Sequence, residues 1–253
     1  MTQFQQWIGV GGTETGHVRT SNQDALAVLN DCGVWIVADG MGGHPAGDIA
    51  AQTAVAMATA RARERAAWLR EHPCTAAEFV ADLVISANRR IHDVMEEKFY
   101  LKGMGTTFVA LTITPTSTPV AHTAHLGDSR AYLYREGQLT QLTRDHTLVE
   151  KWVQRGQIDA ATALTHPERH VLTKGLGMDV DMKPDLTETP VTPQDLIVLC
   201  SDGLTKMLED AAIASVLTCA NGDPHRACHD LIGQALRRGG EDNVTVIVVA
   251  HHQ

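Results

Sequence analysis

The sequence contains no apolar run approaching the roughly 20 residues that a membrane helix needs, so no span is expected. Its start, MTQFQQWIGVGG, has no basic segment followed by an apolar stretch, so no signal peptide is expected either. There is no CxxC. The five cysteines, Cys32, Cys74, Cys200, Cys219 and Cys228, are odd in number and irregularly spaced, which argues against a disulfide framework or a thiolate zinc site. Thirteen histidines form no HExxH or other local metal motif, and His251-His252 reads as solvated tail. Positive charge is scarce: 21 Lys and Arg against 30 Asp and Glu give a net charge of −9. A general nucleic-acid footprint is thereby excluded, although a local basic pocket is not. No GxxxxGK[ST] is present, and GVGGTETG fails GxGxxG because Glu14 stands at the third glycine. With no internal repeat and no low-complexity linker, the expectation is a reduced, cytoplasmic, soluble protein. What remains, 253 residues with 43% apolar and 20% charged, is ample for a real core.

Short apolar runs rich in Val, Ile and Thr fall at 34–38, 106–113, 119–126, 130–137, 195–200 and 243–250, and predict strands. An Ala-rich stretch from Pro45 to about Arg70 predicts a long helix, ended by His72-Pro73. Thr75-x-x-Glu78 predicts a capping box for a second helix, with Val80, Val84, Ala87, Ile91 and Val94 as its buried stripe. A late helix starts at Asp223-Pro224, carries Ala227, Leu231 and Ala235 inward, and ends at Arg238-Gly239-Gly240. Strict βαβα alternation is missing, and short turns at Thr114–Thr118 and Glu136-Gly137 join consecutive strands. The pattern predicts mainly antiparallel sheets covered by helices. The segment from about 144 to 184 is the least regular and is expected to form a flap beside a site.

Chemistry enters through the aspartates at strand ends. VWIVADG ends in Asp39-Gly40, AHLGDSR in Gly127-Asp128 and LIVLCSDG in Asp202-Gly203, and Asp242 precedes the last strand. Asp-Gly is a common turn dipeptide, so any one of these is ordinary. If the four share one rim, the carboxylates repel unless cations sit between them. An all-oxygen cluster suits hard ions such as Mg²⁺ or Mn²⁺.

Together the motifs Arg19-x-x-Asn22-Gln23-Asp24, Asp39-Gly40-Met41-Gly42-Gly43-His44-x-x-Gly47, Gly105-Thr106-Thr107, Gly127-Asp128-Ser129-Arg130, Ser201-Asp202-Gly203-Leu204 and Asp242-Asn243 span nearly the whole chain. In that order they resemble the metal-dependent protein serine/threonine phosphatases, the type 2C or PPM family, in its bacterial single-domain form. The resemblance implies one catalytic domain over 1–253. It also implies an α+β, four-layer α-β-β-α sandwich, with two mainly antiparallel sheets flanked by helices. A centre of two Mn²⁺ or Mg²⁺ ions is implied, with Asp39 bridging both and the Gly40 carbonyl on one. Asp202 and Asp242 complete the other, and Asp128 with Asp202 holds a third, weaker ion. Asp24 matches an aspartate that orients metal-bound water, and Arg19 an arginine that clamps substrate phosphate. Two cations about 3.5–4 Å apart can activate a water for in-line attack, so no phosphoenzyme is needed. A guanidinium fork fits two phosphate oxygens. The competing reading of Arg19 is a surface ion pair.

The chain departs from the family pattern in two places. Gln23 stands where many members carry glutamate, and Met41 stands where eukaryotic members carry a histidine proposed as general acid. His44 offers an imidazole, a group that ordinarily titrates near neutrality, but it lies three residues on and reads as structural, as does Ser129-Arg130. A serine-hydrolase elbow at Gly127–Ala131 is rejected, because the residues after Ser129 read as a hairpin. The resemblance implies phosphoserine and phosphothreonine proteins as substrates. A serine/threonine kinase to oppose, or a forkhead-associated protein, is the implied partner, with the enzyme itself a monomer. The non-enzyme alternative is a pseudophosphatase that binds without turnover. Its mark would be a lost metal aspartate, and Asp39, Asp128, Asp202 and Asp242 are all present.

Overall fold

Strand β3 (Val34–Asp39) is buried almost throughout, and its two faces serve different layers. Val34, Ile36 and Ala38 pack under helices, while Trp35 and Val37 pack toward a second sheet. The same split recurs in β9 (Leu196–Cys200) and β10 (Val244–His251): Val198, Val246 and Val248 meet helices, and Ile197, Ile247 and Val249 meet the opposite sheet. Side chains alternate across a strand, so a strand covered on both faces reads as one continuous apolar run. This is why these runs were visible in the sequence.

The structure is a computed structural model that describes residues 6–41, 46–114 and 116–252. His44, with Gly42, Gly43 and Pro45, lies outside the described residues, and so does the reading made for it. One five-stranded sheet has the order β1 (Trp7–Glu14), β10, β9, β6 (Arg130–Arg135), β7 (Gln138–Gln141). The other runs β2 (Asp24–Leu29), β3, β4 (Phe108–Ile113), β5 (Val120–Leu126), β8 (Asp185–Pro190). Every named strand pair is antiparallel. Helices α1 (Gly47–Glu71) and α2 (Ala76–Glu97) cover the second sheet. Helices α6 (Asp210–Ala220) and α7 (Pro224–Arg237) cover the first. The architecture is the α-β-β-α sandwich that was expected.

Buried Ala50, Ala54, Ala58 and Ala62 give α1 a small-residue stripe, against which α2 lays Phe79, Leu83, Val84 and Ile91. Each large side chain so buried contributes about 1.5–3 kcal/mol. Asp223 caps α7, accepting from the His225 and Arg226 amides at 2.9 and 3.3 Å, with Pro224 at the first helical position.

Two local expectations fail. The Thr75–Glu78 capping box does not form: Pro73–Thr75 winds a 3₁₀ turn, and the Thr75 hydroxyl donates back to the His72 carbonyl at 2.7 Å. The C-terminal histidines are not free tail. His251 is the last residue of β10, opposite Trp7, and their rings meet edge to face at 5.3 Å.

The irregular segment carries two short helices, α3 (Leu148–Gln154) and α4 (Ala160–Thr165), capped by Thr147 and Asp159. Asn88 of α2 ties the far end of this flap to the body. Its Nδ2 donates to the carbonyls of Asp179 and Val180 at 2.8 and 3.2 Å, and its Oδ1 accepts from the Gly177 amide at 2.9 Å. Arg130 holds the near end through a two-pronged pair with Asp145 at 2.9 and 2.7 Å.

Candidate active site

All four strand-end aspartates lie at one end of the sandwich. The sheet register requires it. The end of β3 lies beside the start of β4, where the Thr107 amide donates to the Asp39 carbonyl at 2.8 Å. Phe108 pairs with Leu126 just before Asp128. In the other sheet Cys200 pairs with both Val246 and Arg130, which brings Asp202, Asp242 and the Asp128 turn to the same rim. Two glycines let the chain close there. A Cβ at Gly40 would overlap the Gly47 carbonyl oxygen, and one at Gly203 would overlap the Asn243 carbonyl oxygen.

The carboxylates crowd one another. Burial, and then Asp24, Asp202 and Asp128, push the Asp39 carboxyl well above the usual range. Burial, followed by Asp202 and Asp145, pushes Asp128 up to about 8. Asp24, opposite Asp39 in the β2–β3 ladder, is pushed up to about 6, mainly by burial. Its Oδ2 accepts from Ser201 Oγ at 2.8 Å and Thr245 Oγ1 at 2.6 Å; among the described residues its buried Oδ1 has no donor, and the Asp39 carboxyl lies against this side chain.

Two cations answer these charges. Lys206 Nζ lies 2.6 Å from Asp202 Oδ2 and 2.8 Å from Asp242 Oδ2. The Arg19 fork sets Nε 2.8 Å from Asp242 Oδ1 and Nη2 3.0 Å from Oδ2. Burial raises the Asp242 carboxyl's pKa, but Lys206 and Arg19 outweigh it and hold the pKa below the usual range. The structure thus places Arg19 at the site with its fork on Asp242, the ion-pair geometry weighed against a free phosphate clamp. Its side chain is 43% exposed, so the fork borders open cleft.

Sequence reasoning missed several groups. Lys206 is one; its signal was the i, i+4 spacing to Asp202 across α5 (Asp202–Thr205). Asn243, quoted only as part of a motif, proves to be a hub. Its Oδ1 accepts from the Gln23 amide at 2.9 Å, and its Nδ2 donates to the carbonyls of Thr15 and Ser21 at 2.8 and 3.0 Å. The loop bearing Arg19 is thereby pinned beside Asp242. Gln23 also accepts the Gly40 amide at 3.1 Å through its carbonyl, joining the two acidic segments. Ser129 Oγ and Thr107 Oγ1 hydrogen-bond at 2.6 Å under the rim, and a strand follows Ser129 rather than a helix.

The rim floors a cleft of about 1460 Å³. Asp39, Asp128, Asp202 and Asp242 line it on one side, and Arg169 and Leu172 of the flap on another. The donor chemistry suits hard ions: every acidic group is an oxygen donor, and one buried carboxylate oxygen is unsatisfied. Among the described residues, no three acidic, cysteine or histidine side chains surround a common point suited to an ion as they stand. Lys206 fills the space between Asp202 and Asp242.

A buried nest of carboxylates with cationic partners, open to a wide cleft, suits hard cations and a charged ligand. The family model for protein phosphatase 2C matches residues 11–221. Serine/threonine phosphatase stp of Listeria welshimeri is 35% identical over 243 residues, covering 94% of this chain and 93% of that protein. The crystal structure of the Mycobacterium tuberculosis serine/threonine phosphatase PstP/Ppp superposes with a TM-score of 0.86 at 32% identity, covering 98% of this chain and 99% of that one. The PstP catalytic domain in complex with two manganese ions superposes with a TM-score of 0.83 at 31% identity and the same coverage. The chain belongs to the protein phosphatase 2C family, whose relatives here are serine/threonine phosphatases. No described helix is long and apolar enough to cross a membrane.

Proposed function

We propose that the protein hydrolyses phosphoserine and phosphothreonine in other proteins with the help of two divalent ions, Mn²⁺ or Mg²⁺. It does so in the cytoplasm, in opposition to a serine/threonine kinase. The observation that carries the reading is the convergence of Asp24, Asp39, Asp128, Asp202 and Asp242 from separate segments onto one rim. The manganese-bound relative supports the metal, and five free cysteines suit a reducing compartment.

Asp39, the Gly40 carbonyl, Asp202 and Asp242 would hold the two ions, and Asp128 with Asp202 a third. When bound, the ions supply a nucleophile from water at neutral pH and neutralise charge on the phosphoryl oxygens. The chain's residues do the rest. Asp24, fixed by Ser201 and Thr245, would orient the attacking water. Arg19 swings its fork from Asp242 onto two phosphate oxygens, an exchange of one bidentate anion for another. Arg169 and the apolar flap residues bordering the cleft meet the peptide around the phosphate, so substrate choice resides in the flap.

The test is phosphate release from a phosphothreonine peptide by the Asp202→Asn variant in Mn²⁺. The expected result is a folded protein without turnover; near-wild-type release would refute the metal assignment. Arg19→Ala is expected to raise KM for the phosphopeptide about tenfold or more, with Mn²⁺ affinity largely kept. An equal loss of Mn²⁺ binding would make Arg19 a structural partner of Asp242.

A further inference from the structure

Lys206 stands where the proposed ion ligands meet. The Lys206 amide donates to the Asp202 carbonyl at 2.8 Å, and this single turn of α5 brings the side chain back over its own first residue. The ammonium then reaches across to the other strand end. Its contacts, 2.6 Å to Asp202 Oδ2 and 2.8 Å to Asp242 Oδ2, join residues 40 positions apart that approach through the β9–β10 pair. Among the described residues Arg19, by contrast, pairs with Asp242 alone. A divalent ion ligated by these oxygens would need the space that the ammonium fills, and two cations at contact with the same oxygens repel.

We propose that Lys206 is an internal counter-ion of this site: its ammonium and a divalent ion are alternative occupants of the Asp202–Asp242 pair. Binding of that ion displaces the lysine side chain into the cleft, which it already borders. The ammonium keeps the two carboxylates gathered, and the ion must compete with it. Affinity at this position is therefore lower than the carboxylates alone would give. Asp39 feels the Lys206 charge only at longer range, with no ion pair between them among the described residues, so the effect is largest at the Asp202–Asp242 pair. The inference rests on the metal-dependent reading above.

The test is calorimetric titration of Mn²⁺ into metal-stripped wild-type protein and Lys206→Met, which keeps the length and loses the charge. The expected result is the same number of ions bound, one of them about tenfold tighter or more in the variant, as for loss of one closely engaged charge. Equal or weaker binding in the variant, with wild type binding normally, would overturn the role of Lys206 and leave the metal reading standing. No Mn²⁺ binding by either protein would overturn both. A second measurement needs no variant: reductive methylation of wild-type lysines, read by mass spectrometry. Relative to the other lysines, Lys206 is expected to react slowly without Mn²⁺ and several-fold faster with it. An unchanged relative rate would contradict displacement.

Discussion

Asp39→Asn is expected to lose about three orders of magnitude or more in phosphate release and yet to melt at a higher temperature than wild type in EDTA at pH 8. The first effect follows from removing a ligand from a set of groups that acts as a unit. The second follows from where the carboxyl sits. Asp39 is buried among Asp24, Asp202 and Asp128, and its proton is held more tightly in the folded than in the unfolded chain. A carboxyl with a raised folded pKa contributes stability that is fully present below its unfolded pKa and lost as pH rises through the folded one. Asp128, pushed up to about 8, and Asp24, pushed up to about 6, act in the same direction. Metal-free wild type is therefore expected to lose stability as pH rises from the ordinary carboxylate range through about 6 and on to about 8, and the neutral amide at position 39 should flatten that loss. Thermal melts in EDTA across this range, beside a phosphate-release assay in Mn²⁺, check both halves. A variant that melts lower than wild type at pH 8 would show that the carboxylate is not repelled as described.

Gly203→Ala is expected to cost about 3 kcal/mol of stability, toward the upper end of overpacking penalties. In a chain of this length that lowers Tm by roughly 6–12 °C. The added Cβ would overlap the Asn243 carbonyl oxygen, which is backbone and cannot rotate away. Relief must come from parting α5 from the start of β10. That movement separates Asp202 from Asp242 and loosens the Asn243 hub that pins the Arg19 loop. Stability and phosphate release should fall together, by thermal melt and peptide assay. An unchanged Tm would mean that the two segments are not locked as they stand.

Strands β3, β4, β5, β6, β9 and β10 were legible from their buried apolar runs, and β3, β5 and β9 also run into Asp-Gly or Gly-Asp. The others were hidden for physical reasons. In β1, Gly9, Gly11 and Gly12 dilute the apolar signal, and four of the six residues of β2 are alanine or leucine without a clear period. The edge strands β7 and β8 are short or largely exposed, so neither shows a buried run. Thr75 and Glu78 have the spacing of a capping box, but Pro73 favours a 3₁₀ turn that takes the threonine hydroxyl for itself. At the site, Asp39, Asp128 and Asp202 were readable because each follows an apolar strand run, and Asp242 because it precedes one. Their counter-ions were not. Whether Arg19 faces solvent, phosphate or Asp242 depends on the Asn243 hub, and whether Lys206 returns over Asp202 depends on a single turn of α5. Side-chain pairs of this kind are set by tertiary contacts and leave only a faint trace in spacing.

The most direct test of the central claim is phosphate release from a phosphothreonine peptide by the wild-type protein in Mn²⁺, in Mg²⁺ and in EDTA. The account predicts release with either metal ion present, abolished by EDTA and restored when Mn²⁺ is added back in excess. Release that persists in EDTA, or its absence from folded, Mn²⁺-loaded protein, would contradict it; the second outcome would mark a binding protein built on a phosphatase fold.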